Sequence, residues 1–222
     1  MLLAVDTSTS WIGLALYDGA SVLGETNWTT RNHHTVELAP AIARLLDQTG
    51  LSPTRIECLG VALGPGSFTS LRIGLALVKG MALSLKAPVV GIPTLDFLAA
   101  ATPVSDLPLA AVLQAGRGRL ALGWYEAKRG RWQAKGELSV TTAEALVEQI
   151  EEPCLVCGEM SADERHAFGR KRKLAHLSSP AQSARRASYL AELAWERWKA
   201  GQTAEVVSLS PIYLHIAEAI PE

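Results

Sequence analysis

Cysteine is scarce in this 222-residue chain. Cys58, Cys154 and Cys157 are the three present, too few and odd in number for a disulfide framework, which fits a reducing compartment. An excess of positive charge is missing as well. The 21 Lys and Arg against 22 Asp and Glu leave a formal net charge of −1, whereas a strongly electrostatic nucleic-acid binder is usually basic. The opening residues have no basic stretch and meet Asp6 at once, so they do not read as a signal peptide. The apolar run from Leu71 to Leu85 is interrupted by Arg72 and Lys79 and is short for a membrane span. The expectation is a cytoplasmic protein with no membrane partner. Charge is also unevenly placed: residues 1–100 hold six Lys and Arg with seven Asp and Glu, and residues 101–222 hold 15 of each. A charge-poor half is either better buried or offered to another chain.

The pattern that is present alternates strands and helices. Leu2–Asp6 is an apolar run that ends in the polar turn Asp6-Thr7-Ser8-Thr9. Ile12–Tyr17 and Ser21–Trp28 read as strands joined at Asp18-Gly19, a hairpin signal. Asn32 or Thr35 can cap a helix to Gln48 that Pro40 should kink or loosen in its first turn and Gly50 should stop. Ile56–Leu63 reads as an inner strand. It leads into Gly64-Pro65-Gly66-Ser67 and an almost wholly apolar helix to Leu85, with a strand at Pro88–Ile92 after it and a helix from a Thr94 cap to Ala101. Pro103 and Pro108 flank the best lobe boundary, which divides the chain into 1–102 and 103–222. The second part has strands at Leu109–Leu113, Leu120–Glu126 and Trp132–Val140. A helix capped by Thr141 or Thr142 runs to Ile150, and a strand spans Cys154–Cys157. A long helix covers Ala181–Trp198, with a last strand-like piece at Val206–Tyr213. Both parts open strand, turn, strand, strand, then helices, which hints at two related lobes; the last segment of the second can pack back on the first.

Several motifs carry two readings. Asp6, Thr7 and Ser8 could hold a metal-bound phosphate or form a turn that satisfies its own backbone. Gly64, Gly66 and Ser67 before a helix could present N–H groups to an anion, or be a tight strand-to-helix turn that needs glycine and a Ser/Thr cap. No Gly-Lys-Ser/Thr follows, so this is not a P-loop. His33, His34 and Glu37 lie within one helical turn but lack the second His of an HxxxH site. Cys154 and Cys157 match C-x-x-C but fall in a strand, where residues three apart face opposite sides. Arg170–Lys173, with Arg185 and Arg186 nearby, is the basic cluster that could touch an RNA backbone. No serine sits in a G-x-S-x-G context with His and Asp partners.

The combination of Asp6-Thr7-Ser8-Thr9, His34-Thr35-Val36-Glu37-Leu38-Ala39-Pro40, Gly64-Pro65-Gly66-Ser67-Phe68-Thr69-Ser70-Leu71-Arg72-Ile73-Gly74 with Lys79-Gly80-Met81-Ala82, Gly91-Ile92-Pro93-Thr94-Leu95 and Pro211-Ile212-Tyr213-Leu214 resembles the bacterial TsaB (YeaZ) family. That family is the accessory subunit of the tRNA threonylcarbamoyladenosine-modifying system. The resemblance is strong over roughly residues 1–100. It implies an α/β chain with the two-lobe actin/sugar-kinase/Hsp-type ATPase fold and ribonuclease-H-like lobes. It implies no independent catalysis, and so no catalytic residue and no metal ligand. The implied role is a scaffold that pairs with the catalytic subunit TsaD. TsaD transfers a threonylcarbamoyl group to the adenosine beside the anticodon of tRNAs reading codons that start with A. Further implied partners are the ATPase TsaE, a second copy of the chain when it is alone, and tRNA through the assembled complex. No cofactor is expected on the lone chain; ATP or ADP with Mg²⁺ is left open for the complex. The chain departs from the family at Gln114 (usually Asp), Ser70 (usually Gly) and His215 (often Arg).

The helices 35–48 and 70–85 are then the expected docking surface, through Leu38, Ala41, Ile42, Leu45, Leu71, Gly74, Leu75, Val78, Met81 and Ala82. Asp6, Thr7, Ser8, Gly64, Gly66 and Ser67 remain as a degenerate phosphate site. An active ATP-dependent phosphotransferase or ATPase of the same fold is the alternative, and a peptidase the most distant one.

Overall fold

The computed structural model describes residues 1–31 and 33–214. Ten strands form two five-stranded sheets. In the first, β1 (Leu2–Asp6) lies between β2 (Trp11–Tyr17), antiparallel to it, and β4 (Cys58–Ala62), parallel to it. The edges are β3 (Val22–Thr29) beside β2 and β5 (Val89–Ile92) beside β4. In the second, β6 (Leu109–Gln114) takes the place of β1. It is flanked by antiparallel β7 (Leu120–Lys128) and parallel β9 (Cys154–Gly158), with β8 (Arg131–Thr141) and β10 (Ala175–Leu177) at the edges. The strand orders 3-2-1-4-5 and 8-7-6-9-10 are one topology used twice. The repeated strand–turn–strand grammar of the sequence is therefore a repeated sheet. β1, β4 and β6 are apolar along nearly their whole length because helices cover both of their faces.

Those helices are distributed between the sheets by packing. α1 (His34–Gln48) and α2 (Phe68–Leu85) cover one face of the first sheet. The other face is covered by α6 (Ala187–Lys199), through Ala187, Leu190, Ala191 and Ala194. On the second sheet, α4 (Ala143–Gln149) and the 3₁₀ turn Phe168–Lys171 cover one face, and α3 (Thr94–Ala100) covers the other through Leu95, Leu98 and Ala99. Each sheet thus takes a helix from the opposite half of the chain, and α3 and α6 touch. The cut at 102/103 does not separate these packing units.

Local departures from the sequence reading have local causes. α1 starts at His34, with His33 as its cap residue and no side-chain cap bond. Thr35 is therefore inside the helix, and Asn32 lies outside the described residues. The helix continues through Pro40, which only costs it the N–H that would meet the Val36 carbonyl. α3 begins after Pro93, and Thr94 uses its hydroxyl elsewhere. Val206–Tyr213 is not a strand. The one antiparallel bridge, between Ala204 and Val89, comes just before it, and the segment then runs along α2. The helix α5 (Ala162–Ala167), closed by a Ser161–Glu164 capping box, and β10 had no counterpart in the sequence reading.

α6 starts six residues later than the expected Ala181. Its cap residue, Arg186, offers no side-chain bond of its own. Glu25 on β3 does that work from across the sheet. Its Oε1 accepts from the Ser188 N–H and hydroxyl, both at 3.0 Å, and its Oε2 accepts from Arg186 Nη2 at 2.6 Å. Burial pushes the Glu25 carboxyl up, but Arg186 and Ser188 outweigh it and hold the pKa below its ordinary value. A depressed carboxylate stabilises the fold above its unfolded pKa and loses that contribution as pH falls through the folded one. Glu25→Gln is expected to cost about 1 kcal/mol near neutrality, the worth of a helix cap. In thermal melts the gap to the native chain should close as pH is lowered through the carboxylate range; a gap that persists in acid would show that the charge is irrelevant.

Candidate functional site

The turn after β1 and the turn before α2 meet at one point. Asp6 Oδ1 accepts from the Ser8 N–H at 2.8 Å and from the Ser8 hydroxyl at 2.6 Å. With that proton spent, the 2.7 Å contact between Ser8 Oγ and Thr94 Oγ1 must be donated by Thr94. Thr94 Oγ1 in turn accepts from the Gly64 N–H at 3.1 Å. Ser67 caps α2, and its own N–H donates to the Ser8 carbonyl at 2.7 Å. The Thr7 hydroxyl donates to the Ser70 carbonyl at 2.8 Å. Two glycines make the approach possible. A Cβ on Gly66 would lie 2.2 Å from the Ser8 carbonyl oxygen, and one on Gly74 2.1 Å from Thr7 Oγ1. Asp6, Thr7, Ser8, Gly64, Gly66 and Ser67 are therefore brought together as expected, but largely in contact with one another.

The residue that dominates the site is Arg185. It is 3% exposed beside Asp6 at 1%. Its Nε donates to Asp6 Oδ2 at 2.8 Å, Nη1 to Glu159 Oε2 at 2.5 Å, and Nη2 to Thr9 Oγ1 and the Trp11 carbonyl, each at 2.9 Å. The Thr9 hydroxyl donates a hydrogen bond to Glu159 Oε2 at 2.9 Å. Glu159 follows β9 directly and is held to the second sheet by its N–H on the Val112 carbonyl. Burial opposes the guanidinium charge, but Asp6 and Glu159 outweigh it and raise the Arg185 pKa. A cation or a metal-bound phosphate approaching Asp6 would have to displace this guanidinium. Arg185 and Arg186 are near the basic cluster in sequence, but the structure makes neither available to RNA. Arg185 is buried in the ion network and Arg186 is paired with Glu25. Sequence alone held one clue: a buried carboxylate at the end of an apolar strand needs a cation, though not which one.

His34 is buried with Nε2 3.0 Å from the Thr9 carbonyl, while Glu37 accepts from Trp28 Nε1 at 2.8 Å, so the two do not converge. Among the described residues no three of His, Cys, Asp and Glu are grouped to hold a metal. Cys154 lies in the core under α4 and Cys157 in the core under α3, on opposite faces of the sheet, and burial raises both thiols to about 11. Gln114, where the family pattern has Asp, donates to Glu164 Oε2 at 2.5 Å. His215 lies outside the described residues. In the basic cluster Arg170, Arg172 and Lys173 are exposed, whereas Lys171 donates to the Glu148 and Ile150 carbonyls at the end of α4.

Most of the expected docking residues face inward and are not available to a partner. Leu38, Ala41, Ile42, Leu45, Leu71, Leu75, Val78 and Ala82 are all at most 6% exposed, within the chain's own core, and Gly74 is buried against Thr7. Of the ten named, Met81 alone is partly exposed. A helix lying on a sheet turns positions 71, 75, 78 and 82 inward. What α1 and α2 show outward is a second apolar set: Val36 at 67%, Phe68 at 53% and Leu83 at 72%, with Ala39, Pro40, Ala43, Ala76 and Gly80 also exposed.

Comparison with known proteins agrees with this geometry. A family profile described as "TsaD: tRNA N6-adenosine threonylcarbamoyltransferase" matches residues 27–196. The "tRNA threonylcarbamoyladenosine biosynthesis protein TsaB" of Bacillus subtilis is 32% identical over 98% of this chain and 95% of its own. Among solved structures, YeaZ from Pseudomonas aeruginosa superposes with a TM-score of 0.76 at 24% identity, covering 96% of this chain and 99% of that one. A ROK hexokinase from Thermus thermophilus superposes with a TM-score of 0.50 at 11% identity over 90% and 99%. The fold is the two-lobe actin/sugar-kinase/Hsp-type ATPase fold expected from the sequence.

Removing Arg185 strands the buried Asp6 carboxylate, while Glu159, 30% exposed, can turn to water. Arg185→Met is expected to cost about 3–5 kcal/mol in denaturant unfolding, the usual penalty for breaking a buried ion pair. Adding Asp6→Asn to it should cost far less than the sum of the single changes; strict additivity would mean that the two side chains are not energetically coupled.

Proposed function

The chain belongs to the TsaB family, and from that premise we propose that it serves tRNA threonylcarbamoyladenosine biosynthesis as a non-catalytic scaffold that pairs with TsaD and activates it. The observation that carries this reading is the state of Asp6. In an ATPase of this fold a carboxylate at the end of the first strand would serve metal-bound phosphate. Here one oxygen is held by Ser8 and the other by Arg185. A site filled by its own side chains supports a binding role over nucleotide chemistry, and so favours the scaffold over an ATP-dependent phosphotransferase.

The outward apolar face of α1 and α2 supplies the other half of the reading. In the proposed complex it packs against the equivalent helices of TsaD, whose family profile the chain itself matches over 27–196. When the chain is alone, a second copy takes that place, since related lobes present similar surfaces. About 800 Å² per partner with an apolar centre suffices for a stable pair. TsaE joins the assembled complex, and tRNA is reached through it, with Arg170, Arg172 and Lys173 as candidate backbone contacts.

The test uses outward residues, because a charge at Leu75 or Val78 would disrupt the core. Leu83→Glu and Ala76→Glu should leave the melting temperature nearly unchanged and weaken co-purification with TsaD by at least tenfold. They should also lower the modified nucleoside in cells. The lone native chain should give no heat with Mg–ATP in calorimetry. Stoichiometric binding that Asp6→Asn abolishes would favour the phosphotransferase instead.

A further inference from the structure

α2 carries two charges, Arg72 and Lys79, and they have different fates. Lys79 Nζ donates to the Val207 carbonyl at 3.0 Å and so ties down the segment that follows α6. That segment bridges Val89 at Ala204 and reaches Leu63 through the Ile212 N–H at 2.7 Å, which sets Tyr213 beside the first turn of α2. Arg72 lies there over the Phe68 ring, with the Tyr213 ring packed beside it. Its Cζ is 3.6 Å from the Phe68 centroid and 5.7 Å from that of Tyr213, and the rings themselves are 5.0 Å apart. Nε donates to the Tyr213 hydroxyl at 2.9 Å. Among the described residues Arg72 makes no other hydrogen bond and no ion pair, so the Nη donors of this exposed residue are left unused.

We propose that Arg72, held in place by Phe68 and Tyr213, is the polar anchor of the docking face, and that it receives a carboxylate from the partner subunit. The segment carrying Val207 and Tyr213 is then part of that face. This rests on the scaffold reading above and names the chemistry of its interface. Val36, Phe68, Leu83, Val207 and Tyr213 are five of the eight large apolar residues exposed in the described chain, and they lie on three adjoining elements. A partner that covers such a face also covers Arg72. Burying an unpaired guanidinium is costly, so a partner without a matching carboxylate is rejected and one that has it gains a two-point bond to the Nη edge. The stacking fixes the guanidinium beforehand and lowers the entropy lost on docking. Arg and Tyr are the residue types that most often dominate interface energetics. Lysine could not replace Arg72, because a point charge lacks the planar fork.

The experiment measures the affinity of the full chain for purified TsaD at low and high salt. Arg72→Met keeps the apolar stem and should weaken binding at least tenfold and flatten its salt dependence. Arg72→Lys should recover only part of the loss, and Tyr213→Phe should cost a few fold. All three variants should melt with the native chain, since the residues are on the surface. If the native chain itself does not bind TsaD, the scaffold reading falls and this proposal with it. If the native chain binds and Arg72→Met binds equally well with the same salt dependence, only the anchor is overturned. The chain's own residues beyond Leu214 include Glu218 and Glu222. A chain ending at Leu214 should keep its dependence on Arg72; loss of that dependence would assign the guanidinium to this tail and overturn the proposal.

Discussion

The ion network of Asp6, Arg185 and Glu159 is the constraint on which the arrangement of the two sheets depends. A carboxylate at the end of a fully buried strand cannot remain charged without a partner of opposite sign and close hydrogen bonds. Arg185 supplies both, and because it also takes Glu159, Thr9 and the Trp11 carbonyl, one side chain joins the first sheet, the second sheet and the run into α6. The glycines beside it follow from the same requirement. Gly66 and Gly74 let the turn at Ser8 and the first turns of α2 close onto each other, which leaves the hydroxyls of Thr7, Ser8 and Thr94 bonded within the protein. The turn at the end of β1 is thereby tied to the turn before α2 from within the protein.

The exchange of α3 and α6 between the sheets works with that network. Each helix is apolar on the side that meets a sheet built by the other half of the chain. Neither sheet is covered on both faces until the whole chain has folded. Glu25 adds a polar counterpart, since an edge strand of the first sheet caps a helix more than 160 residues further along. With these long-range ties the interior is committed, and among the described residues the outer side of α1 and α2 leaves Val36, Phe68 and Leu83 exposed. The exposed side chains there, together with the stacked Arg72, form the face that the proposed pairing would cover.

Much of the secondary structure was legible in the sequence. Leu2–Asp6, the hairpin at Asp18-Gly19, the Ser67 cap, the long apolar helix to Leu85 and the Thr142 cap are all set by neighbours within a few residues, and each is where its local chemistry puts it. The quoted motifs also carried the family and the fold, because glycines and hydroxyls at fixed spacing record close approaches that few other side chains permit. What only the tertiary structure decided is which residues meet across distance. Both sides of α2 are apolar, so nothing in its periodicity separated Leu75 and Val78, which face the core, from Ala76 and Leu83, which face out. The start of α6 depends on Glu25, and the partner of Asp6 is 179 residues away. Arg185 looks in the sequence like half of a surface Arg-Arg pair. Its identity as the centre of a buried network comes from desolvation, a property of the folded surroundings that no stretch of the chain carries by itself.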